Sequence, residues 1–302
     1  MKYTDLFTNE HEALAALTAL AEPADITVGR LVHWYGAAGA LRYLFTDEVA
    51  RHVDPKPLAL VRKTIGPRLI DARPGIQIIE ESSRLGIRLI SPGDEEWPVR
   101  LADLGARQPF ALWVKGKKLE PAPPYTVAIV GARACTAYGE HVTGELTAEL
   151  SERGYTIVSG AAYGIDGTAH RAALAVDGST IAVLVGGLDR PYPVGHHDLI
   201  DRIAASGSIV SEVPIGGAPT KWRLIARNRV IAGMSDGMVV VEAGWRSGSL
   251  AAAHNAFQIK RPVMAVPGPI TSAASAGCHR LIRESGARLV TSADDVAEVI
   301  ER

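Results

Sequence analysis

The stretch 237-GMVVVEAGWRSGSLAAAHNAF-257 carries the pattern on which the fold depends. It begins with an apolar, β-branched run that is continuous rather than alternating, which is typical of a strand buried on both faces. It ends in a segment, 247–258, that predicts a helix. Between the two lie glycines and serines around a single arginine. The stretch therefore predicts a strand, a loop suited to an anion, and a helix.

The same unit recurs in both directions along the chain. Further apolar runs occur at 126-TVAIVG, 156-TIVSG, 180-TIAVLVGG, 208-SIVSEV, 262-PVMAVPG and 288-RLVT. Helical stretches such as 139–152 and 167–176 separate most of them. This alternation predicts an α/β fold with a doubly wound, mainly parallel sheet. Such sheets bind ligands at the carboxyl ends of their strands, so the loops there are the candidate site.

The first 119 residues follow a different pattern. Short helices are predicted at Glu10–Ala21, Val28–Tyr35 and Ala37–Phe45. A boundary region with Gly66-Pro67 and Arg73-Pro74-Gly75 follows them. We next expect a helix at Ile76–Leu85, strands at Arg88–Ile90 and Phe110–Val114, and a stiff proline-rich link at 120-EPAPPY-125. The predicted parts are a helical domain at 1–75, a connecting region at 76–119 and a sheet domain at 120–302.

Composition restricts the class of protein. The formal net charge of −1 over 302 residues gives no global basic field, so an anion site must be local. Cys135 and Cys278 are too few for a disulfide framework or a zinc site, which indicates a reducing compartment. The N-terminal stretch lacks the pattern of a signal peptide, and no apolar run is long enough to span a membrane. We therefore expect a cytoplasmic protein.

The loop 131-GARACTAYGEH-141 follows the first strand of the sheet domain. Gly131 permits a tight turn, and Arg133 suits a bidentate contact with phosphate at the start of the next helix. A dinucleotide fingerprint would need glycines at 133 and 136, where Arg and Thr stand, so NAD(P) is disfavoured and no cofactor is expected. The plain alternative is a βα turn with an exposed arginine.

The second loop is 159-SGAAYGIDGTAH-170. Asp166 is expected to cap the helix that follows. Ser159, Asp166 and His170 have the residue types of a hydrolytic triad, but no G-x-S-x-G elbow frames the serine, so we expect no catalytic residue here.

The third loop, 186-GGLDRPYPVGHHDLIDRI-203, contains the adjacent histidines His196 and His197. No H-x-E or C-x-x-C motif accompanies them, so a metal site is not expected. A histidine that contacts a phosphate or a base is the better hypothesis.

A fourth segment, 220-TKWRLIARNRVIAGMSDG-237, combines basic residues with an aromatic one. Lys221, Arg223, Arg227 and Arg229 occur near Trp222, and charge contacts together with base stacking are the physical basis of single-strand binding. The alternative is an amphipathic helix with solvated charges.

In the opening loop, Arg246 has two possible roles. It can pair with Glu242, or it can form a phosphate nest with Ser247, Ser249 and the helix start from Gly248 onward.

Taken in order, these segments resemble the DNA-processing protein A (DprA, also called Smf) family over residues 127–296. The matching stretches are VAIVGAR, YTIVSGAAYGIDGTAHRAAL, TIAVLVGGLDRPYP, IVSEVP, ARNRVIAG, VVVEAGWRSGSLAAA, VPGPI, GCHRLI and GARLVTSADDV. A weaker resemblance covers 87–116. The resemblance implies an extended Rossmann-like sheet domain preceded by a small helical, SAM-like domain, without the C-terminal winged-helix domain of some members.

The resemblance also implies a function. Family members are non-enzymatic homodimers that bind single-stranded DNA and help to load the RecA recombinase during DNA uptake and recombination. The DNA-contacting positions carried over to this chain are Gly131, Arg133, Ser159, Gly160, Gly164, His196, Arg227, Asn228, Arg229, Arg246, Ser247, Gly248 and Ser249. An apolar surface that suits dimerisation lies near Leu281, Ile282, Leu289 and Val290, although these residues fit a core equally well.

The chain departs from the family pattern at several positions. Leu224-Ile225 replaces the usual Phe-Pro, Val194 and His196 stand in the third loop, and His279 replaces an asparagine. The third loop is then expected to contact DNA less strongly, or to respond to pH through His196 and His197.

The alternative hypothesis is a nucleotide sensor or phosphoribohydrolase-like enzyme of the wider Rossmann-like group. Those enzymes carry P-G-G-x-G-T-x-x-E where this chain has EAGWRSGSL, without the helical glutamate that would serve as the catalytic carboxylate.

Overall fold

The computed structural model describes residues 2–70 and 72–301. Its first part is helical: α1 (Glu10–Leu20), α2 (Ile26–Phe45), α3 (Pro55–Ile70) and α4 (Gly75–Ser83). Asn9 caps α1 and Asp25 caps α2 through side-chain bonds to backbone N–H groups. Gly36, at φ 70°, bends α2, which explains why the sequence predicted two helices there.

Helix α3 continues through Gly66 and Pro67, where the sequence predicted the start of a boundary region. Its buried residues Leu58, Val61 and Ile65 recur every three to four positions. Because this packing face continues up to the proline, it keeps the segment helical despite the local turn signal.

Among the described residues, nine strands form a single sheet, and the remaining helices pack on both of its faces. The strands are β1 (Ile87–Ile90), β2 (Leu112–Gly116), β3 (Thr126–Val130), β4 (Thr156–Ser159), β5 (Thr180–Val183), β6 (Ser208–Ser211), β7 (Gly237–Val240), β8 (Val263–Ala265) and β9 (Arg288–Leu289). The helices are α5 (Ala137–Glu152), α6 (Ile165–Ala175), α7 (His197–Ser206), α8 (Lys221–Gly233), α9 (Gly248–Gln258), α10 (Ala276–Glu284) and α11 (Ala293–Ile300).

The strand order is β1-β2-β6-β5-β4-β3-β7-β8-β9. Strands β3 to β9 pair in parallel, and β1 and β2 add an antiparallel pair beside β6. All seven strands predicted for the sheet domain are present. The runs of β3 to β8 lie buried between the helical layers, whereas both residues of the edge strand β9 are exposed. The prediction of a Rossmann-like, mainly parallel α/β sheet is confirmed.

The connecting region joins the helical part to the sheet. Trp113 of β2 is buried, and its indole Nε1 donates to Thr18 Oγ1 of α1 at 3.3 Å. On the other side, Glu22 accepts from Arg223 Nε of α8 at 2.9 Å. The helical part therefore packs against both β2 and the helix that carries the R-N-R stretch. The division at residues 75 and 76 stays a prediction.

Parallel strands β3 to β8 all end at one side of the sheet, which we call the carboxyl edge. Its loops are 131–136, 160–164, 184–196, 212–220, 241–247 and 266–275. Across residues 2–70 and 72–301, no helix combines the length and apolar content that a membrane crossing requires.

Candidate nucleic-acid interface

A pocket lies on the carboxyl edge between the ends of β4 and β5. Arginines, tyrosines and small residues line it, and we call it the arginine pocket: Arg133, Gly160, Ala162, Tyr163, Val185, Tyr192, Pro193, Leu224 and Arg227. Four of the five loops singled out from the sequence meet here or border it. The fold thus brings Arg133, Gly160 and Arg227 together from distant segments.

Arg227 forms the base of the arginine pocket. Its side chain is buried, and Nη1 donates to the carbonyls of Gly160 at 2.7 Å and Val183 at 2.6 Å. These carbonyls end β4 and β5, so the guanidinium ties two strand ends to α8. Gly160 must be glycine, because an added Cβ would overlap this guanidinium. Burial lowers the pKa of Arg227, and the nearby Asp166 opposes that shift.

Asp166 does not cap α6, contrary to the sequence prediction. Gly164 stands at the N-cap with φ 73°, and Asp166 lies in the first turn. Its carboxylate instead accepts from Gly160 N at 3.2 Å and from the backbone amides of Gly131 and Ala162. Burial raises the pKa of Asp166, and Arg227 and these amides act in the opposite direction. An internal carboxylate therefore occupies the amide cradle that would otherwise attract a nucleotide phosphate.

Arg133 lies at the rim of the arginine pocket and is exposed. Its side chain makes no hydrogen bond or ion pair with any residue in 2–70 or 72–301. The backbone around it is fixed, because Ile165 N donates to Ala132 O at 3.2 Å and Gly164 lies too close to Ala132 and Arg133 for a Cβ. Arg133 is thus a positioned cation with its charge directed to solvent or ligand.

Glu242, at the end of β7, organises the first loop and does not pair with Arg246. It is buried and accepts from Thr136 N at 2.9 Å and from Thr136 Oγ1 at 2.6 Å. Thr136 is the N-cap of α5 and accepts from Gly139 N at 3.2 Å. Both oxygens of the Glu242 carboxylate therefore bind the N-cap residue of α5. Within residues 2–70 and 72–301, Arg246 has no acidic partner.

The opening loop presents Arg246 next to a capped helix start. Ser247 caps α9, and its hydroxyl lies 2.7 Å from Ser249 Oγ. Asn228 of α8 donates to Gly248 O at 3.4 Å, which links the two helices. Arg246 is exposed, and its side chain forms no ion pair or hydrogen bond within residues 2–70 and 72–301. Ser247 and Ser249 thus bond mainly to each other, and Arg246 is the group directed outward.

Three residues predicted to contact DNA point inward instead. Arg229 is fully buried and donates to Glu212 Oε1 at 2.5 Å. Ser159 Oγ donates to Ile129 O at 2.6 Å, and His196 Nδ1 lies 3.0 Å from Ala161 O. These contacts support the loops, and all three side chains are buried. Arg229 lies two residues after Arg227 and so faces the opposite side of α8.

Comparisons with known proteins identify the family. The sequence profile of a family described as DNA recombination-mediator protein A matches residues 88–301. The chain belongs to the DNA recombination-mediator protein A family. Among the relatives of this family member, DprA of Mycobacterium tuberculosis is 46% identical over 95% of this chain and 74% of its own length. DprA of Bacillus subtilis is 38% identical over 70% of this chain and 71% of its own length.

Two solved structures of the same family resemble this member. The X-ray structure of DprA from Streptococcus pneumoniae has a TM-score of 0.76 and 30% identity, and covers 98% of this chain and 99% of that one. DprA from Helicobacter pylori has a TM-score of 0.64 and 30% identity, covering 70% of this chain and 94% of that one. The Helicobacter pylori structure is described as showing a mode of single-stranded DNA binding.

Sequence reasoning missed the aromatic rim of this family member's pocket. Tyr163 and Tyr192 are both exposed there, and Tyr163 packs edge-on against His196 with ring centroids 4.7 Å apart. Each tyrosine lies in a loop already singled out for its glycines or histidines. A tyrosine within a strand-end loop that also carries glycines or histidines is the sequence signal that would have identified them.

The residues of a hydrolytic triad are present but differently engaged. His170 is fully buried and pairs with Thr180 Oγ1 at 2.8 Å, and Ser159 donates to a backbone carbonyl. Among the described residues, no group of three His, Cys, Asp or Glu side chains is placed to hold a metal ion. His197 pairs with Asp201 at 3.1 Å.

Proposed function

We propose that this chain binds single-stranded DNA along the carboxyl edge. The observation that carries the proposal is the pair of exposed arginines, Arg133 and Arg246, on neighbouring loops beside a pocket with a third arginine at its base. In a chain of net charge −1, such a local concentration of unpaired cations suits a polyanion that follows the edge. Arg133 and Arg246 would contact successive phosphates.

The aromatic rim of the arginine pocket favours a single strand over a duplex. Tyr163 and Tyr192 offer ring faces to a nucleobase, and a base can reach them only when it is unstacked from its neighbours. Stacking accepts every base, because every base has a π-face, so we expect little sequence preference.

The role of the bound DNA follows from the family. We infer that the chain acts as a homodimer in the cytoplasm and delivers single-stranded DNA to the RecA recombinase, as the DprA resemblance implies. Binding without catalysis is supported by the engagement of Glu242 with Thr136 and of Ser159 with Ile129. The phosphoribohydrolase alternative is disfavoured, because Asp166 fills the cradle that a nucleotide phosphate would need.

The decisive test compares Arg133→Ala with Arg202→Ala, an exposed arginine on α7. Loss of a charge-assisted phosphate contact is expected to weaken single-strand binding by about 10- to 100-fold in the first variant only. The slope of log affinity against log salt should fall by about 0.7, the value for one phosphate on a single strand. Fluorescence anisotropy with a labelled oligothymidylate and a matched duplex measures both quantities.

Three results would contradict this proposal. One is equal affinity of the Arg133→Ala and wild-type chains. The second is a preference for the duplex, and the third is an affinity that does not change with salt. Release of free base from nucleoside monophosphates by the wild-type chain would instead support the enzyme hypothesis.

A further inference from the structure

Trp245 lies exposed in the loop after β7, immediately before Arg246. We propose that Trp245, Arg246 and Arg280 form a second contact site for single-stranded DNA, in which a nucleobase stacks on the indole of Trp245. This site lies on the β7–β8 side of the carboxyl edge, outside the arginine pocket. The inference rests on the proposed function and names a further part of the same binding track.

The indole of Trp245 is exposed on the carboxyl edge. Trp245 leaves 58% of its surface accessible, whereas Trp97 and Trp113 belong to the core. Single exposed aromatic residues are common on protein surfaces, so the observation that points to a ligand is the position of this ring beside two arginines. The occupant must also tolerate the positive charge beside it.

Arg280 holds the indole in a fixed orientation. Its guanidinium lies 5.1 Å from the ring centroid of Trp245, a cation–π distance. Arg280 Nε in turn donates to Glu284 Oε2 at 3.1 Å, one turn further along α10. A base that stacks on Trp245 therefore meets a ring whose rotamer is already restricted, and less side-chain entropy is lost on binding.

Backbone bonds fix α10 against the Trp245 loop. Gly277 N donates to Ala243 O at 2.7 Å, and Ala243 N donates to Ala274 O at 2.8 Å. Gly277 lies so close to Ala243 and Gly244 that a Cβ would overlap them. Because Arg280 follows Gly277 by about one helical turn, this contact sets its position over the indole.

The positive charge around Trp245 suits the phosphates of a DNA strand. Arg246 has no ion-pair partner in the described chain, and Arg280 has only Glu284. The carboxylate of Glu242, which precedes the loop, is buried and bonded to Thr136. Two cations beside one aromatic ring match a nucleotide, which offers a base to the ring and phosphates to the arginines.

The site is within reach of the strand held at the arginine pocket. The arginine pocket lies between β5 and β4 and this site on the β7–β8 side, so about three strand intervals of about 4.8 Å, or about 14 Å, separate the two. About four nucleotides span this distance at the duplex spacing of about 3.4 Å, and an extended single strand needs fewer. One strand can therefore occupy both sites and pass Arg133 at the rim of the arginine pocket.

The test uses two substitutions of the same tryptophan and one matched control. Trp245→Leu removes the aromatic ring and keeps an apolar side chain, whereas Trp245→Phe keeps a ring. The control, Trp34→Leu, removes a tryptophan of similar exposure, 54%, from α2 of the helical part. Affinity for an oligothymidylate of about 12 nucleotides, within the usual range of single-strand site sizes, is measured by anisotropy.

We expect Trp245→Leu to weaken binding by about 5- to 100-fold, the usual effect of losing one stacked base. Trp245→Phe should bind within about threefold of wild type, and Trp34→Leu should equal wild type. Quenching of tryptophan fluorescence by DNA should also be smaller in Trp245→Leu than in Trp34→Leu.

Wild-type affinity in Trp245→Leu would overturn the inference, as would an equal loss in the phenylalanine variant or in the control. These outcomes differ from failure of the proposed function itself. In that case the wild-type chain would not bind single strands, and Arg133→Ala would have no affinity to lose.

Discussion

At the scale of single residues, Arg227 and Arg229 show how much the environment decides. Both belong to one R-N-R stretch, yet one lines the arginine pocket and the other lies buried against Glu212. Burial raises the pKa of Glu212, and the attraction of Arg229 opposes that shift. Removal of either partner would leave a buried charge uncompensated, so this pair anchors α8 from within the protein interior.

His170 provides a prediction at this scale. Burial, with Arg227 and His196 nearby, lowers its pKa to about 3. Thr180 donates to Ile157 O, so it accepts from the neutral His170 Nδ1–H. A histidine in the unfolded chain titrates near 6.5. The contribution of neutral His170 to the free energy of unfolding is therefore complete above that pH and is lost as the pH falls towards about 3.

We therefore expect the free energy of unfolding of the wild type, relative to His170→Asn, to fall by up to about 1.4 kcal/mol per pH unit below about 6.5. Asparagine keeps a donor for Thr180 but does not titrate. Urea unfolding of both chains between pH 7 and pH 5 measures the difference. Parallel pH profiles for the two chains would show that His170 is not neutral and buried in solution.

At the scale of elements, helix α5 carries the loop that presents Arg133, and its two glycines have opposite surroundings. Gly139 packs in the first turn, where an added Cβ would lie 2.3 Å from Glu242 Oε2. Gly144 lies one and a half turns later, with open space around it. The first glycine permits the buried Glu242–Thr136 contact, and the second only increases the flexibility of the unfolded chain.

The two alanine substitutions should therefore change stability in opposite directions. Gly144→Ala is expected to stabilise the chain by about 0.5–1 kcal/mol, the usual gain in a helix interior. Gly139→Ala is expected to destabilise it by about 1–3 kcal/mol through overpacking, and to weaken DNA binding by loosening the Arg133 loop. Chemical denaturation gives both values, and a shift of the same sign in both variants would contradict the packing described for Glu242.

At the scale of the whole molecule, the sheet ends at β9, and this edge bears on the proposed dimer. The sequence suggested an apolar surface at Leu281, Ile282, Leu289 and Val290. Leu281 and Val290 are core residues, whereas Leu289 is 52% exposed on the terminal strand. An uncovered edge strand with an exposed leucine is a natural pairing surface for a second copy.

Leu289→Lys is accordingly expected to convert a homodimer into a monomer, because a charge on this edge must be desolvated on pairing. Leu85→Lys, a leucine of similar exposure at 47% beyond α4, is the matched control. Sedimentation velocity distinguishes the two species. A Leu289→Lys chain that stays dimeric would place the interface elsewhere, and a monomeric wild type would remove the proposal of a dimer.

The sequence by itself determined the architecture of the sheet domain and the loops in which the site lies. Continuous β-branched runs can be satisfied only between two helical layers, and parallel strands gather their following loops at one edge. Local signals placed Arg133 and Arg246 in strand-end loops, and the family resemblance added Arg227 to the candidate site. They failed at Gly66-Pro67, where a buried helix face outweighed a turn signal.

Only the tertiary structure decided which side chains reach the surface. The orientation of Arg229, the engagement of Asp166 with three loop amides and the pairing of Glu242 with Thr136 depend on segments far apart in the chain. The same holds for Arg280 over Trp245, since α10 meets that loop only after the sheet has formed. Burial and charge pairing are properties of contacts between distant segments, and for that reason a local pattern does not specify them.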